Sequence, residues 1–459
     1  MKVIICGAGR VGSSIAQQLS LENHEVTLVD FSGEILSEVA EHIDVRIYVG
    51  FPSHPEVLEE VGVQNADALI AVTRSDEVNM TACQMAHSLY NVPTKIARIR
   101  NAAYLKPEYQ HLYRHDHIPI DHIISPEQEV ARTIVERLHV PGAVDTIPLA
   151  ANSLKALGIR CLYDCPMLGY KMQRLKSACN AADVALLGVV RGEKFILPNK
   201  NATLQQDDVA YVACNRNRIH ETIELFGHEE REARTLVIIG AGNIGLSLVE
   251  YIEQYEPDVR LKLIESDASR AKIVAERLNR STVINGDALS PAILREANVH
   301  MTETVVAVTN NDEVNILSSL IAKRSGCGRV LTIVNNSLTY ADLMNDLGID
   351  VIISPREITV SSILQHIRQG KALSLRSLCK GNVEIMEVEV TDSSPVAGKH
   401  IYNVVLPERV SLVAISRSGR LLIPEQETVI LPGDFLTVVT DAASVRRVEQ
   451  IFSAKKELL

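Results

Sequence analysis

The 459-residue sequence contains no tryptophan, and aromatic residues make up only 4% of it. Proteins that bind single-stranded nucleic acids stack bases on aromatic side chains, so this class is disfavoured. The sequence also lacks an apolar run of the roughly 18 residues that a membrane-spanning helix needs. The apolar stretch at its start is too short for the hydrophobic region of a signal peptide. We therefore expect a cytoplasmic chain that does not insert into lipid.

Cysteine spacing and charge disfavour further classes. The eight cysteines include no CxxC pair, so we expect reduced thiols and neither a disulfide framework nor a cysteine-rich metal site. Lysine and arginine number 46 against 57 aspartate and glutamate, which gives a formal net charge of -11. Such a chain repels phosphate backbones and anionic lipid. We predict no nucleic-acid partner.

The sequence is a tandem repeat. The segment IICGAGRVGSSIAQQL from Ile4 matches VIIGAGNIGLSLVEYI from Val237, and ADALIAVTRSDEVNM from Ala66 matches TETVVAVTNNDEVNI from Thr302. The order of matched segments holds over about 230 residues per copy, which is far longer than a solenoid repeat. This pattern indicates duplication of a whole module.

Each copy begins with Val- and Ile-rich runs that alternate with segments of helical period, which predicts a parallel sheet covered by helices. Short strands with glycine turns follow. The predicted fold class is α/β, with two tandem Rossmann-like, doubly wound parallel-sheet lobes, each followed by a small α+β lobe. We expect the apolar stretch after Pro126 to form the helix that joins the first two lobes. The predicted boundaries are 1–140 and 143–226 in copy one, 227–234 for a charged linker, and 235–370 and 373–455 in copy two.

The first chemical motif is a glycine-rich turn between a predicted strand and a predicted helix. It consists of Gly7, Ala8, Gly9, Arg10, Val11 and Gly12. Glycines in this context let the main chain approach a pyrophosphate. The free N–H groups at the start of the helix then bind the negative charge of the pyrophosphate. Asp30 ends the next strand, where it would accept hydrogen bonds from ribose hydroxyls and repel a 2′-phosphate. The motif predicts an NAD site, and a purely structural turn is the alternative.

Copy two repeats this motif in full. Its turn consists of Gly240, Ala241, Gly242, Asn243, Ile244 and Gly245. Glu265 ends the following strand, as Asp30 does in copy one. Two such motifs are unusual in a dehydrogenase, which pairs one nucleotide lobe with a catalytic domain.

A second motif follows the predicted fourth strand of each copy. Its candidate residues are Thr73, Arg74 and Asp76 in copy one and Thr309, Asn310 and Asp312 in copy two. The spacing from threonine to aspartate is that of a helix capping box. The same strand end also lies at the sheet edge where ligands of open α/β sheets bind. The sequence leaves open whether these residues cap a helix only or also contact the ligand.

Other polar clusters carry weaker signals. His111 and His115 have the spacing of a zinc-binding helix, but the companion glutamate is missing, so we predict no metal site. Arg98 ends a predicted strand, where it faces either a ligand phosphate or a nearby carboxylate. No nucleophile motif and no phosphate-binding P-loop are present, and we predict no catalytic residues.

The doubled GxGxxG lobe, the VT motif with its DExN continuation, the IISP segment and the small β lobe together resemble the RCK/KTN family, which includes the cytosolic regulators of Trk potassium uptake. The resemblance runs from Met1 to about Phe452. It implies binding of NAD(H), or of ATP or ADP, and assembly into a homo-oligomeric ring, expected to be a tetramer. It also implies docking to a membrane potassium-translocating subunit of the TrkH or TrkG type, on the cytoplasmic face of the cell membrane.

The resemblance assigns ligand contacts to both copies. They are Gly7 to Val11, Asp30, Thr73, Arg74 and Arg98, and Gly240 to Ile244, Glu265 and the Thr309 region. The copies differ at two places. Copy one has Phe51 after Gly50, whereas copy two has Asp287 after Gly286, and we align Arg98 of copy one with Thr332 of copy two. We expect the two sites to be non-equivalent.

The predicted function is a non-catalytic, nucleotide-responsive regulatory subunit for potassium uptake. The alternative is an NAD-dependent oxidoreductase, which only the glycine motifs favour, because the chain has no dedicated catalytic domain. A redox-sensing DNA-binding repressor would need a basic helix-turn-helix region, and the sequence offers no convincing candidate.

Overall fold

The computed structural model describes residues 1–140, 142–192, 194–198, 200–228, 233–335, 348–367, 374–378, 383–407, 409–441 and 444–452. The chain forms two compact units, one of residues 1–135 and 233–364 and the other of residues 136–232 and 365–459. The first unit holds two parallel sheets and the second holds two antiparallel sheets. Like lobes of the two copies therefore share a unit. The parallel and antiparallel sheets confirm the predicted fold class.

The first lobe is a parallel sheet in the order β3-β2-β1-β4-β5-β6. Its strands are β1 Lys2–Cys6, β2 Glu25–Asp30, β3 Arg46–Val49, β4 Ala68–Ala71, β5 Thr94–Arg98 and β6 His122–Ile124. Its helices are α1 Arg10–Leu21, α2 Gly33–Ala40, α3 Pro55–Glu60, α4 Asp76–Tyr90 and α5 Pro126–His139, with 3-10 turns at Val63–Asn65, Ala102–Leu105 and Pro107–Tyr113. The apolar central strands are buried on both faces, because helices cover both sides of the sheet. The strand order reverses between β1 and β4, which places the ligand-binding crevice of such folds at their carboxyl ends.

The first small lobe is an antiparallel sheet in the order β10-β9-β11-β8-β7. Its strands are β7 Ala143–Leu149, β8 Leu154–Arg160, β9 Ala185–Arg191, β10 Lys194–Ile196 and β11 Val209–Asn215. Its helices are α6 Met172–Ala181 and α7 Ile219–Glu224, with a 3-10 turn at Arg216–Arg218. Asp208 is buried in the turn before β11, where both of its carboxylate oxygens accept hydrogen bonds from Arg191, at 2.8 and 2.7 Å.

The third sheet is parallel and repeats the order of the first as β14-β13-β12-β15-β16-β17. Its strands are β12 Thr235–Ile239, β13 Arg260–Glu265, β14 Thr282–Asn285, β15 Thr304–Ala307, β16 Arg329–Ile333 and β17 Val351–Ile353. Its helices are α8 Asn243–Tyr255, α9 Ala268–Arg277, α10 Pro291–Glu296, α11 Asp312–Arg324 and α12 Pro355–Ile367, with a 3-10 turn at Val299–Met301. The two parallel lobes therefore have the same switch point.

The second small lobe repeats the topology of the first, in the order β18-β19-β22-β20-β21. Its strands are β18 Ser374–Leu378, β19 Val383–Glu389, β20 Ser411–Arg417, β21 Arg420–Leu422 and β22 Phe435–Asp441. It also contains the helix α13 Val445–Phe452 and a 3-10 turn at Ile401–Asn403. Arg417 binds the buried Asp434 through two hydrogen bonds of 2.8 Å, as Arg191 binds Asp208 in the first small lobe.

Part of the predicted domain organisation falls outside the described chain. This applies to residues 229–232 of the predicted linker and to residues 368–373 around the predicted boundary in copy two. Within the ranges that the structure describes, no helix is both long and apolar enough to cross a bilayer.

The two small lobes share a hydrophobic cluster, and a buried carboxyl group lies beside it. Ile147 and Leu187 of the first lobe pack in this cluster with Ile385 and Val439 of the second. Glu387 on β19 is only 4% exposed, and its Oε1 accepts a hydrogen bond from the backbone N–H of Ala150 at 2.5 Å. Burial raises the pKa of Glu387 to about 7, because the apolar surroundings disfavour the charged carboxylate.

Glu387 should make the stability of the second unit depend on pH. The unfolded chain loses the Glu387 proton at lower pH than the folded chain, so stability falls between about pH 4.5 and pH 7 and is constant above this window. The loss is on the order of 3 kcal/mol. Glu387→Gln keeps an oxygen that accepts the Ala150 N–H and should flatten the pH dependence of the thermal midpoint. Glu389→Gln, which changes an exposed glutamate at the end of the same strand, is the matched control. Equal pH profiles for wild type and Glu387→Gln would contradict the assignment.

Candidate functional site

The glycine turns sit where β1 meets α1 and where β12 meets α8. Gly7 has φ of +110°, and a Cβ atom on it would lie 3.0 Å from the backbone nitrogen of Thr73. A Cβ atom on Gly12 would lie 1.8 Å from the carbonyl oxygen of Gly7, so only glycine fits there. The corresponding distance from Gly245 to the Gly240 oxygen in copy two is 1.9 Å. The first and third glycines are therefore required by the fold itself.

The middle glycine of each turn has no such structural constraint. A Cβ atom on Gly9 would meet no described atom within 4 Å, and one on Gly242 would approach only the Asn310 Oδ1, at 3.9 Å. No side chain in the described ranges caps the first turn of α1 or α8. The open space and the uncapped N–H groups fit a bound phosphate group, which the positive end of a helix dipole stabilises.

The acid at the end of the second strand holds each turn. Asp30 accepts hydrogen bonds from the backbone N–H of Ala8 at 2.7 Å and of Ser32 at 3.0 Å. Glu265 likewise accepts the N–H of Ala241 at 2.8 Å. Each acid is 9% exposed. Because a carboxylate has about four acceptor positions, both acids retain acceptor capacity for a ligand hydroxyl.

The threonine motif is not the capping box that its spacing indicates. The N-cap of α4 is Ser75, whose Oγ accepts the N–H of Val78, and the N-cap of α11 is Asn311. Thr73 instead bonds to the fully buried Asn79, whose Oδ1 accepts both the N–H of Thr73 at 2.9 Å and its hydroxyl at 2.7 Å. The prediction of a Thr73 cap was wrong, because Arg74 and Ser75 lie between Thr73 and the first residue of α4.

Copy two contains the same arrangement of threonine and asparagine. Asn315 accepts the N–H and the hydroxyl of Thr309, at 2.8 and 2.7 Å. In both copies these bonds fix the threonine beside the glycine turn, where a Cβ atom on Gly7 or Gly240 would lie 3.0 Å from the backbone nitrogen of Thr73 or Thr309.

The aspartates of the second motif anchor loops. Asp76 accepts the backbone N–H groups of Arg100, at 3.1 Å, and Asn101, at 2.8 Å. Asp312 accepts the N–H of Asn335 at 2.9 Å and its side-chain amide at 3.1 Å. These bonds give both aspartates a structural role at the carboxyl edge of the sheet.

Arg98 lies at the same edge with an unsatisfied donor. Its Nε is buried and has no hydrogen-bond partner in the part of the chain that the structure describes. Burial lowers the pKa of its guanidinium, and the charge of Arg100 acts in the same direction, while Glu127 opposes it. A buried guanidinium donor without a partner at this edge of the sheet fits an anionic ligand, and the nearby Glu127 carboxylate also acts on its charge.

The alignment of Arg98 with Thr332 was wrong by one residue. Asn79 Nδ2 donates to the carbonyl of Arg98, and Asn315 Nδ2 donates to that of Ile333, so Ile333 is the counterpart of Arg98. Thr332 instead donates its hydroxyl to Ser319 inside the lobe. Copy two still lacks the cation, because an isoleucine occupies its position.

The histidine-rich segment does not form a zinc helix. His111 lies in the 3-10 turn Pro107–Tyr113, and His115 lies beyond its end, so the two are not on one α-helix. Across the described ranges, no three His, Cys, Asp or Glu side chains are grouped as a metal site.

A cavity of about 630 Å³ lies over the second glycine turn. Its lining includes the predicted residues Glu265, Asp287 and Asn310 of copy two. Arg100 and Glu127 of copy one line it as well. The volume is in the range of small-molecule pockets. An adjoining cavity of about 850 Å³ is also lined by both copies, including Arg74 and Asp76 of copy one.

Sequence analysis did not identify three charged residues in this cavity. Arg100 Nε donates to Glu127 Oε1 at 2.9 Å, and the Glu127 side chain is only 6% exposed. Arg270 Nε donates to the carbonyl of Ala241 at 2.5 Å, directly on the second turn. Arg100 follows Arg98 by two residues, and this clustering of arginines was the only signal. No pattern indicated that copy one contributes to the cavity of copy two.

The glycine geometry predicts opposite effects at neighbouring positions. Gly12→Ala should destabilise the protein by about 3 kcal/mol, since its Cβ collides with the backbone of Gly7. Gly9→Ala is the matched control and should change stability by less than about 1 kcal/mol, because its Cβ meets open space. Denaturant unfolding of the two variants compares them directly, and equal stabilities would contradict this geometry.

Comparison with known proteins agrees with the duplicated architecture. The family model of the TrkA-N domain matches residues 3–126 and 236–355, and that of the TrkA-C domain matches residues 158–227 and 385–453. A solved structure described as the GsuK RCK domain superimposes with a TM-score of 0.61 at 20% identity, covering 98% of this chain and 94% of that one.

Curated relatives match over the full length. The chain is 40% identical over 457 residues to the Trk system potassium uptake protein TrkA of Azorhizobium caulinodans, covering 100% of both chains. It is 36% identical to the protein of the same name from Halomonas elongata, covering 98% of both. With both domain models matched twice and full-length relatives at this identity, the chain belongs to the TrkA family of potassium uptake proteins.

Proposed function

We propose that this chain is the nucleotide-binding, non-catalytic regulatory subunit of a Trk-type potassium uptake system. The observation that carries the proposal is the cavity over the second glycine turn, which residues of both copies line. A ligand in this cavity contacts both parallel lobes of the first unit. Its binding therefore depends on how the two lobes are arranged.

The ligand is NAD(H), with ATP or ADP as the other candidates. The open first turns of α1 and α8 bind phosphate, and Asp30 and Glu265 bind ribose hydroxyls. A structure of similar fold, at 19% identity and a TM-score of 0.61, is described as the GsuK channel bound to NAD, which supports this choice of ligand.

We propose the same nucleotide-contacting residues that the sequence predicts. In copy one they are the glycine turn, Asp30, Thr73, Arg74, Asp76 and Arg98, and in copy two the second turn, Glu265, Asp287, Thr309, Asn310 and Asp312. Arg100 and Glu127 join the second set, because they line its cavity.

Regulation follows from differential affinity. A nucleotide that bridges the lobes stabilises one of their arrangements, and it shifts the equilibrium only by the ratio of its affinities for the two states. Arg100 and Glu127 are the copy-one groups positioned to sense occupancy of the second site. Glu127 lies in the first turn of α5, and the last residues of α5 belong to the second unit, so this helix connects the proposed second site to that unit along the chain.

The partner is a membrane potassium-translocating subunit of the TrkH or TrkG type. Relatives across the whole length are named as Trk system potassium uptake proteins, which supports this partner. We further propose that copies of the chain assemble into a ring, as a tetramer, on the cytoplasmic face of the cell membrane. The net charge of -11 complements basic cytoplasmic loops of a membrane protein.

Removal of Asp30 should weaken nucleotide binding at the first glycine turn, which we call site one; the site at the second glycine turn is site two. Asp30→Ala removes charge-assisted hydrogen bonds to ribose worth roughly 1.5–3 kcal/mol, so NADH should bind site one at least about tenfold more weakly. Calorimetric titration measures this loss. Asp44→Ala, an exposed aspartate of the same lobe, is the charge-matched control.

A second variant separates binding from folding. Asp30→Asn keeps one oxygen that accepts the Ala8 N–H but loses the acceptor of the Ser32 N–H and the negative charge, so it should be more stable than Asp30→Ala and still weaken NADH binding. Unchanged NADH affinity in both folded variants would remove Asp30 from the site.

Potassium uptake tests the regulatory role. In cells that lack their own Trk regulatory subunit, the wild-type chain should restore nucleotide-dependent uptake, and Gly9→Val should alter it because the added side chain fills the open phosphate space. The absorbance of NADH, followed with purified protein and carbonyl substrates, should stay constant. Sustained NADH oxidation would instead identify an oxidoreductase.

A further inference from the structure

Two exposed phenylalanine rings flank the acid of the first site. Phe31 follows Asp30 directly and is 66% exposed, and Phe51 is 54% exposed. Phe51 follows Gly50, whose N–H donates to the carbonyl of Asp30 at 2.9 Å. The two residues therefore lie beside Asp30 at the carboxyl ends of β2 and β3.

The two phenylalanine rings pack against each other. The Phe31 and Phe51 rings are stacked, with centroids 5.8 Å apart and planes inclined by 11°. The imidazole of His54 lies next to Phe51, with its centroid 5.3 Å from that of Phe51 and its plane tilted by 32°. Neither phenylalanine is part of the buried core of the first lobe. Packing within the lobe does not explain why two large apolar side chains are exposed next to a polar site.

Copy two replaces this surface with polar residues. When the two parallel lobes are aligned by their strand register, Ser266 occupies the position of Phe31, Asp287 that of Phe51 and Ser290 that of His54. Asp287 lines the second cavity together with Glu265, and one of its carboxylate oxygens accepts the N–H of Leu289.

We propose that Phe31, Phe51 and His54 are a base-stacking platform that makes site one tolerant of the nucleobase, whereas Asp287 makes site two selective for a base with an exocyclic amine. This inference rests on the proposed nucleotide function. A base linked to a ribose at Asp30 lies beside the residues that flank Asp30. Stacking on aromatic rings tolerates any base, since every base has a π face, whereas a carboxylate accepts a hydrogen bond only from a base that donates one.

Removal of the rings should weaken binding at site one. In a Glu265→Ala background, which disables site two, the double variant Phe31→Ala with Phe51→Ala should bind NADH about tenfold more weakly. Phe51→Tyr keeps an aromatic ring and should stay within about twofold of the background. Tyr163→Ala removes another exposed ring, from the second unit, and serves as the control. Both phenylalanines are exposed, so the variants should fold normally.

A base analogue tests the difference between the sites. Nicotinamide hypoxanthine dinucleotide carries an oxygen where NAD carries the adenine amine. Site one, isolated by Glu265→Ala, should bind this analogue within about threefold of NAD. Site two, isolated by Asp30→Ala, should bind it at least about tenfold more weakly than NAD.

The outcomes separate this inference from the proposed function. Failure of the wild-type chain to bind NADH, ATP or ADP would overturn both. Normal NADH binding at site one in the double variant would overturn the platform and leave the proposed function standing. A change of oligomeric mass in the double variant, with NADH affinity unchanged, would also overturn the platform and assign the rings to a contact between copies.

Discussion

The hydrogen bond from the glycine turn to the acid of the second strand organises both nucleotide lobes. Ala8 donates to Asp30, and Ala241 donates to Glu265, at 2.7 and 2.8 Å. Each bond fixes the turn against the second strand. The third glycine has no side chain, so the start of the helix lies close to the carbonyl oxygen of the first glycine. No side chain in the described ranges caps the first turn of α1 or α8, and both helices begin at the switch point of their sheet. This geometry is the basis of the proposed dinucleotide site.

The two copies share this framework but differ in the side chains placed on it. Copy one offers Arg98 with an orphaned donor and the exposed rings of Phe31 and Phe51, and copy two offers Ile333, Ser266 and Asp287. Copy one also contributes Arg100 and Glu127 to the cavity of copy two. A ligand at the proposed second site would therefore touch the first lobe directly, which gives a physical route by which one site influences the other.

Much of this arrangement could be predicted from the sequence because it depends on local patterns. Apolar strand runs, the strand, turn and helix context of the glycines, and the acid at the end of the next strand are all short-range signals, and the structure has strands, turns and acids at these positions. The capping role of Thr73 was wrong because spacing alone does not show where the helix begins. The alignment of Thr332 was wrong because hydrogen bonds of Asn79 and Asn315, not sequence similarity, define the register. The roles of Arg100 and Glu127, and the grouping of like lobes, depend on tertiary packing between distant segments, which no local pattern encodes.

Hydrogen–deuterium exchange of the two glycine turns, with and without NADH, tests the central claim most directly. If the uncapped N–H groups of the helix starts bind the pyrophosphate, NADH should slow exchange in the peptides that contain Gly9 to Gly12 or Gly242 to Gly245. Because the copies are not equivalent, the degree of protection should differ between the two turns. Unchanged exchange at both turns under saturating NADH would contradict the account.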